Sequence, residues 1–181
     1  MPSTLSNLIS DASATDQQFQ DCADRGLRYA MAILHNHSDS EEAVQETFFR
    51  LHRHSIECGD KSYRGMFFKT LRNHCIDLLR KRRVRNEHGD SDQLEQIAGQ
   101  NLDFAVGESS ELKQMIFFEI SHLPESMKQA LLMRVHGQLS YDEIANALDA
   151  SKQQVRTWIY RARRKLEQSP RLRNFLDLKD E

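Results

Sequence analysis

The sequence predicts an all-α protein made of two small helical domains joined by an acidic flexible linker, the second domain a helix-turn-helix. Three observations carry that expectation. Gly and Pro number only seven and three in 181 residues, and no run alternates apolar and polar residues for long, so strands lack both their turns and their two-residue period. Capping patterns of the Ser-x-x-Glu/Gln type recur at Ser38–Glu41, Ser140–Glu143 and Ser151–Gln154, each a place where a helix can begin. Charge is segregated behind a net value of −2: residues 61–85 hold nine cations and one acid, residues 86–111 seven acids and no Lys or Arg, and residues 152–173 eight cations and one acid. Two basic segments therefore flank an acidic one, and a phosphate polymer meets the local field within a Debye length of about 8 Å, not the average.

Taken in order, residues 1–15 are polar and read as loose. From Asp16 to about Leu34, Phe19, Cys22, Leu27, Ala30, Met31 and Leu34 recur at helical spacing, and His35-Asn36-His37 interrupts. Ser38-Asp39-Ser40-Glu41 then reads as a capping box for a helix to about His54, with Val44, Phe48 and Leu51 on its buried side. After a loop containing Cys58-Gly59-Asp60, a long helix is expected from about Tyr63 to Arg83. Its core stripe is Phe67, Phe68, Leu71, Cys75 and Leu78, and Lys69, Arg72, Asn73, Arg80 and Arg83 lie across from it. Residues 87–109, with Gly89, Gly99 and Gly107 among acids and amides, read as the linker. A helical unit starts near Ser110, Pro124 is placed to open the helix Glu125 to His136, and Gly137 reads as its left-handed cap.

The stretch Leu139–Leu166 carries the chemistry. Ser140 with Glu143 opens one helix, on which Ile144, Ala145 and Leu148 mark a buried face; Asp149-Ala150 interrupts, and Ser151 with Gln154 opens a second. Two caps about eleven residues apart leave room only for a tight turn. On the second helix, rotation of about 100° per residue gathers Val155, Ile159, Ala162 and Leu166 into an apolar stripe. Gln153, Arg156, Thr157, Tyr160, Arg161 and Arg164 then lie around the opposite half, a set of amide, hydroxyl and guanidinium groups suited to base edges and phosphates. Trp158 falls on the shoulder, where it packs. A solvated cationic face on a structural helix pair is the plain alternative, and the doubled capping at helix-turn-helix spacing argues against it.

Composition excludes several classes. No apolar stretch approaches the roughly 20 residues needed to span a bilayer, and no signal-peptide pattern opens the chain. Cys22, Cys58 and Cys75 are odd in number and far apart, which argues for free thiols in a reducing cytoplasm. His35/His37, His52/His54 and His74-Cys75 lack partners at metal-binding spacing. Glu41-Glu42 and Asp142-Glu143 read as capping or docking carboxylates, and there is neither a glycine-rich phosphate loop nor a nucleophile elbow. No enzyme activity, metal or cofactor is expected.

SDSEEAVQETFFRLHRHS (Ser38–Ser55), YRGMFFKTLRNHCIDLLRKRR (Tyr63–Arg83), the acidic linker and LSYDEIANALDASKQQVRTWIYRARRKL together resemble, in order, the extracytoplasmic-function sigma factors of bacterial RNA polymerase. The resemblance divides the chain into residues 1–86, a region 2-like domain; 87–109, the linker; and 110–181, a region 4-like helix-turn-helix domain. It implies a protein that binds bacterial core RNA polymerase and promoter DNA, open to control by an anti-sigma factor and without membrane insertion. Asp39, Glu42, Gln45, Glu46 and Arg50 would meet the polymerase. Lys69, Arg72, Asn73, Arg80 and Arg83 would bind and open the −10 element, with the loop His54–Ser62 helping to hold an unstacked base. Lys152, Gln153, Arg156, Thr157, Tyr160, Arg161 and Arg164 would read the −35 element. Met66 stands where the family commonly has Trp, which puts stacking by that side chain in question. Two other functions fit the helix-turn-helix alone: a stand-alone transcription regulator and a DNA-processing enzyme.

Overall fold

The protein is described by a computed structural model over residues 4–53, 63–87 and 109–177. Among the described residues eight helices follow one another: α1 (Thr4–Leu34), α2 (His37–Arg53), α3 (Tyr63–Glu87), α4 (Ser109–Ser121), α5 (Glu125–Val135), α6 (Tyr141–Ala147), α7 (Lys152–Glu167) and α8 (Pro170–Asp177). No strand occurs among the described residues, and the all-α class stands.

α1 runs through the N-terminal residues expected to be loose. Their polarity hid the helix, but no Pro or Gly falls between Pro2 and Gly26, so nothing in the backbone chemistry stops it. It ends at His35, whose φ of 52° is left-handed. The next helix starts two residues earlier than the Ser38 box proposed. Asn36 is the cap: its Oδ1 accepts the Asp39 N–H at 2.9 Å and its carbonyl accepts the Ser40 hydroxyl at 2.6 Å. Ser38, expected as the cap, lies exposed inside the helix instead, and Ser40 is buried there. An Asn side chain can make the same bond to the third residue on, and the crowded Asn-Ser-Asp-Ser run disguised which member does so.

α1, α2 and α3 pack around Phe67, which Phe48 meets at 4.8 Å between ring centroids; Phe19 in turn stacks on Phe48 at 4.1 Å. Gly26 makes this approach possible. A Cβ there would lie 2.8 Å from the Phe67 ring, closer than carbon atoms tolerate.

Pro124 stands at the start of α5. At its end Gly137 is needed for space, not for dihedral freedom: a Cβ would meet the Met133 carbonyl oxygen at 2.7 Å, Leu139 Cδ1 at 2.6 Å and Phe68 at 3.0 Å. The left-handed residue expected at Gly137 is Gln138, with φ 51°. Both capping boxes of the helix-turn-helix form as the spacing requires. Ser140 Oγ accepts from Glu143 N and Ser151 Oγ from Gln154 N, and the Glu143 and Gln154 side chains accept the N–H of Ser140 at 2.7 Å and of Ser151 at 2.8 Å. Asp149, at φ 50°, makes the turn between them.

α8 was not foreseen, although Ser169-Pro170 is a readable start: Ser169 Oγ accepts from Leu172 N, and Pro at the first helical position lacks only an N–H that would have no helical partner. Arg171 lies over Phe118 at 4.3 Å and so ties α8 to α4.

The two halves share one core. A continuous buried cluster runs from Tyr29, Phe67, Phe68 and Leu71 to Leu132, Met133, Leu139, Ile144, Val155 and Ile159. Tyr29 donates its hydroxyl to the buried Gln129 Oε1, whose own amide donates to Glu125 at 2.6 Å. Burial raises the Tyr29 pKa well above its ordinary value, so this bridge stays a neutral donor–acceptor pair. A smaller cluster, Leu123, Leu131 and Ala162, fixes α7 beneath α4 and α5.

Candidate nucleic-acid interface

α7 presents the face the sequence required. Val155, Ile159 and Ala162 are buried and Leu166 is half-buried, while Lys152, Gln153, Arg156, Tyr160, Arg161 and Arg164 are exposed and Thr157 is partly so. Tyr160 is 63% exposed, too much for a packing residue, so its ring and hydroxyl stand ready for a ligand. Thr157 donates its hydroxyl proton to the Gln153 carbonyl at 2.9 Å, which leaves its oxygen lone pairs as the outward-facing acceptors. Trp158 joins the core margin as expected.

Two features on this surface were missed. Tyr141, at the first turn of α6, has Arg134 over its ring at 5.3 Å and Arg156 at 5.8 Å, a cation–π contact that restrains the Arg156 side chain. Lys152 Nζ reaches Asp142 Oδ2 at 2.7 Å, joining the starts of α6 and α7. Only the spatial neighbourhood of the two helices reveals either.

α3 is more divided. Asn73 and Arg80 are exposed, and Arg80 pairs with Asp77 at 3.6 Å; Arg83 is exposed as well. Lys69 is half-buried and bonds Asp149 Oδ1 at 2.6 Å across the molecule. Arg72 does not lie across the helix from the core. It flanks the buried stripe, its Nε is buried without a hydrogen-bond partner, and Nη1 donates to Asn73 Oδ1 at 3.1 Å. The wheel explains the displacement, since Arg72 is one residue, or about 100°, from Leu71. Arg64, not singled out by the sequence reading, donates to the carbonyls of Gly137 at 3.1 Å and Gln138 at 3.2 Å and faces Glu143 at 3.8 Å. The loop His54–Ser62, Cys58 and residues 88–108 of the linker lie outside the described residues.

On α2, Glu42 and Gln45 are exposed, and Glu46 accepts from Arg50 Nε at 2.7 Å. That hydrogen bond holds the Glu46 carboxyl below its usual range. Asp39 is committed elsewhere: its carboxylate pairs with Arg82 of α3, which also donates to the Leu34 carbonyl. Phe49, 56% exposed with Arg53 over its ring, falls on the same arc as Glu42, Gln45 and Glu46, and a buried-side reading of the apolar residues passed over it.

His74 sits beneath this arc. Burial first, then the Arg50 charge, lowers its pKa, and its Nε2 is a buried atom without a partner. The Cys75 thiol is pushed up to about 12 by burial and is therefore an inert core group, not a nucleophile. Among the described residues no group of three His, Cys, Asp or Glu side chains is placed to hold a metal, and no helix is long and apolar enough to cross a membrane.

Comparison with known proteins places the chain in a family. Residues 19–85 match Sigma-70 region 2 and residues 114–166 match Sigma-70, region 4. The ECF RNA polymerase sigma-E factor of Haemophilus influenzae is 33% identical over 140 residues, covering 72% of this chain and 74% of that protein. SigM of Bacillus subtilis, also an ECF RNA polymerase sigma factor, is 25% identical over 152 residues, covering 84% of this chain and 92% of that protein. In fold, the chain resembles the sigma factor RpoE of Bartonella quintana, solved with the anti-sigma factor NepR, at a TM-score of 0.62 and 19% identity over 84% of this chain and 93% of that one. The two region matches in their order, together with a third of the residues shared across most of a relative's length, make this chain a member of the ECF RNA polymerase sigma factors.

Proposed function

We propose that this protein binds bacterial core RNA polymerase in the cytoplasm and directs it to one class of promoters, acting by binding and not by catalysis. The observation that carries this reading is α7: a doubly capped helix whose buried stripe leaves Lys152, Gln153, Arg156, Thr157, Tyr160, Arg161 and Arg164 on one outward face. Residues 110–181 would form the unit that reads the duplex −35 element, with the early residues Gln153 and Arg156 at base edges and Arg161 and Arg164 on phosphates. Residues 1–86 would dock and melt. Glu42, Gln45, Glu46 and Arg50 supply polar and charged groups on the same arc as the exposed Phe49, an aromatic anchor beside a polar rim, the composition of a protein interface. Asp39 would serve this surface indirectly, through its pairing with Arg82. Asn73, Lys69, Arg72, Arg80 and Arg83 would hold the unpaired −10 strand, an amide for a base edge and cations for the backbone. Residues 87–109 would tether the two units, and an anti-sigma factor remains a natural partner by analogy with the Bartonella complex.

The decisive experiment is reconstitution with bacterial core polymerase and sequencing of the 5′ ends of transcripts started on genomic DNA. One shared pair of upstream elements is expected. No stimulation of the core enzyme, with nanomolar specific binding to duplex DNA by the isolated chain, would support the stand-alone regulator instead. Melting has its own test: Asn73→Ala should leave core binding intact and reduce permanganate reactivity of promoter thymines on duplex templates. A pre-opened bubble should recover part of the loss, because the few kcal/mol of unstacking is already met. Equal losses on both templates would remove Asn73 from melting.

A further inference from the structure

Arg72 and Asn73 are neighbours on α3 with unequal surroundings. Asn73 is exposed, whereas Arg72 flanks the buried stripe and its Nε lies buried without a hydrogen-bond partner. Successive side chains on a helix diverge by about 100° and do not ordinarily face each other. Here the Arg72 stem packs at the edge of the core and the guanidinium turns outward, where Nη1 donates to Asn73 Oδ1 at 3.1 Å. Guanidinium nitrogens donate and never accept, so the amide end facing Arg72 must be the oxygen; turned over, N–H would face N–H. Nδ2 therefore points away from Arg72. Asp77, the carboxylate one turn further along, is paired with Arg80 at 3.6 Å, which leaves the Nδ2 hydrogens for a ligand.

We propose that Arg72 is a positioning residue for base selection: it holds the Asn73 amide with its donors outward, so that the unpaired −10 base is chosen for two neighbouring acceptors and adenine is rejected. The proposal rests on the −10 reading of Asn73 given above. An unrestrained Asn pairs with adenine through both ends of its amide, Nδ2 donating to N7 and Oδ1 accepting from the N6 amino group. With Oδ1 engaged by Arg72, that amino group would meet guanidinium N–H groups instead. The Arg72–Asn73 pair is thus a donor surface. N7 and O6 of guanine, or N3 and O2 of cytosine, offer the adjacent acceptors that such a surface satisfies, and an unstacked base exposes both of its edges. Arg72 in this way serves the −10 strand through its neighbour, and the sequence Arg-Asn carries a specificity that Asn alone would not.

The test uses the full chain bound to core polymerase on templates pre-opened at the −10 element, with each of the four bases placed in turn at every non-template position. The position at which Asn73→Ala flattens the base profile is the one Asn73 reads. There the better of guanine and cytosine should bind about tenfold more tightly than adenine, a ratio within the range of one two-bond base contact. Arg72→Met fills a similar space without donors and should bring the ratio to about one or below, because the freed amide can then take adenine. Arg72→Lys keeps a cation that only donates and should hold the ratio above about threefold. Asn73→Asp keeps an acceptor for Arg72 and replaces the outward donors by an oxygen, so adenine should overtake guanine. A purely structural or phosphate-binding role for Arg72 would weaken all four bases alike and leave the ratio as it was. An unchanged ratio in Arg72→Met, a ratio in Arg72→Lys as low as that of Asn73→Ala, or guanine still ahead of adenine in Asn73→Asp would overturn the proposal; the last two decide it even if Arg72→Met does not fold. If no position responds to Asn73→Ala, the −10 reading of Asn73 itself fails, whereas a position that responds to Asn73→Ala and not to Arg72→Met removes Arg72 alone.

Discussion

α3 and α7 are the two strongly cationic helices among the described residues, and they meet solvent differently. α7 buries one stripe, Val155, Ile159 and Ala162, and leaves the remaining surface open. α3 buries two. Phe67, Leu71 and Cys75 join the core shared with α1 and α2, while Gly65 and Phe68 meet the α5–α6 segment and draw Arg64 and Lys69 into bonds with it. The comparison teaches that charge at helical spacing marks a cationic helix, but the elements packed on it decide whether that face is open.

The largest effect that tests the comparison belongs to the residue joining the two halves. Phe68→Ala should lower the unfolding free energy by about 3–5 kcal/mol, the usual result of emptying a fully buried aromatic site. Because the core is continuous, urea melts followed at α1 and at Trp158 should shift together; independent transitions would break the picture of one core. Next comes base reading on the open helix. Arg156→Ala should relax promoter preference at one position by about 1–3 kcal/mol, whereas Arg164→Ala should weaken all sequences alike and reduce the salt slope by about one. If both altered only the salt slope, Arg156 would be a phosphate contact and the Tyr141 restraint irrelevant to specificity.

Smaller still is the cap that starts α7. Ser151→Ala should destabilise the fold by about 1 kcal/mol without changing the promoter bases selected, and a changed preference would mean that the cap also sets the helix position in the groove. The smallest effect is pH dependence. Burial lowers the pKa of His35, His74 and His136 from the ordinary 6.5, with Lys128, Arg50 and Arg28 respectively the next contributors. The unfolded chain therefore takes up more protons than the folded one below pH 6.5, so these groups stabilise fully above that value and less as pH falls below it. Urea midpoints at about pH 7.5 and about pH 5.5 should show the decline, and His136→Gln, at the α5 terminus against Arg28, should reduce it. An unchanged decline in the variant would assign the effect to the other two histidines.

The sequence by itself determined the all-helical class, both capping boxes of the helix-turn-helix and the outward face of α7. These are local: caps act over three residues and a helical stripe over one element, so their signals lie within a short window of sequence. Local signals also misled where several candidates crowd together, as at Asn36 against Ser38, and where polarity masked a backbone free of breakers, as in the first turns of α1. Tertiary structure alone decided the rest. That Gly137 is required for space by Phe68, that Asp39 is taken by Arg82, that Arg72 leans toward the core, and that Lys69 answers to Asp149 eighty residues away all depend on which surfaces meet. Such contacts leave no period in the sequence, because each partner is positioned by its own helix and the pairing arises only when the two helices are packed.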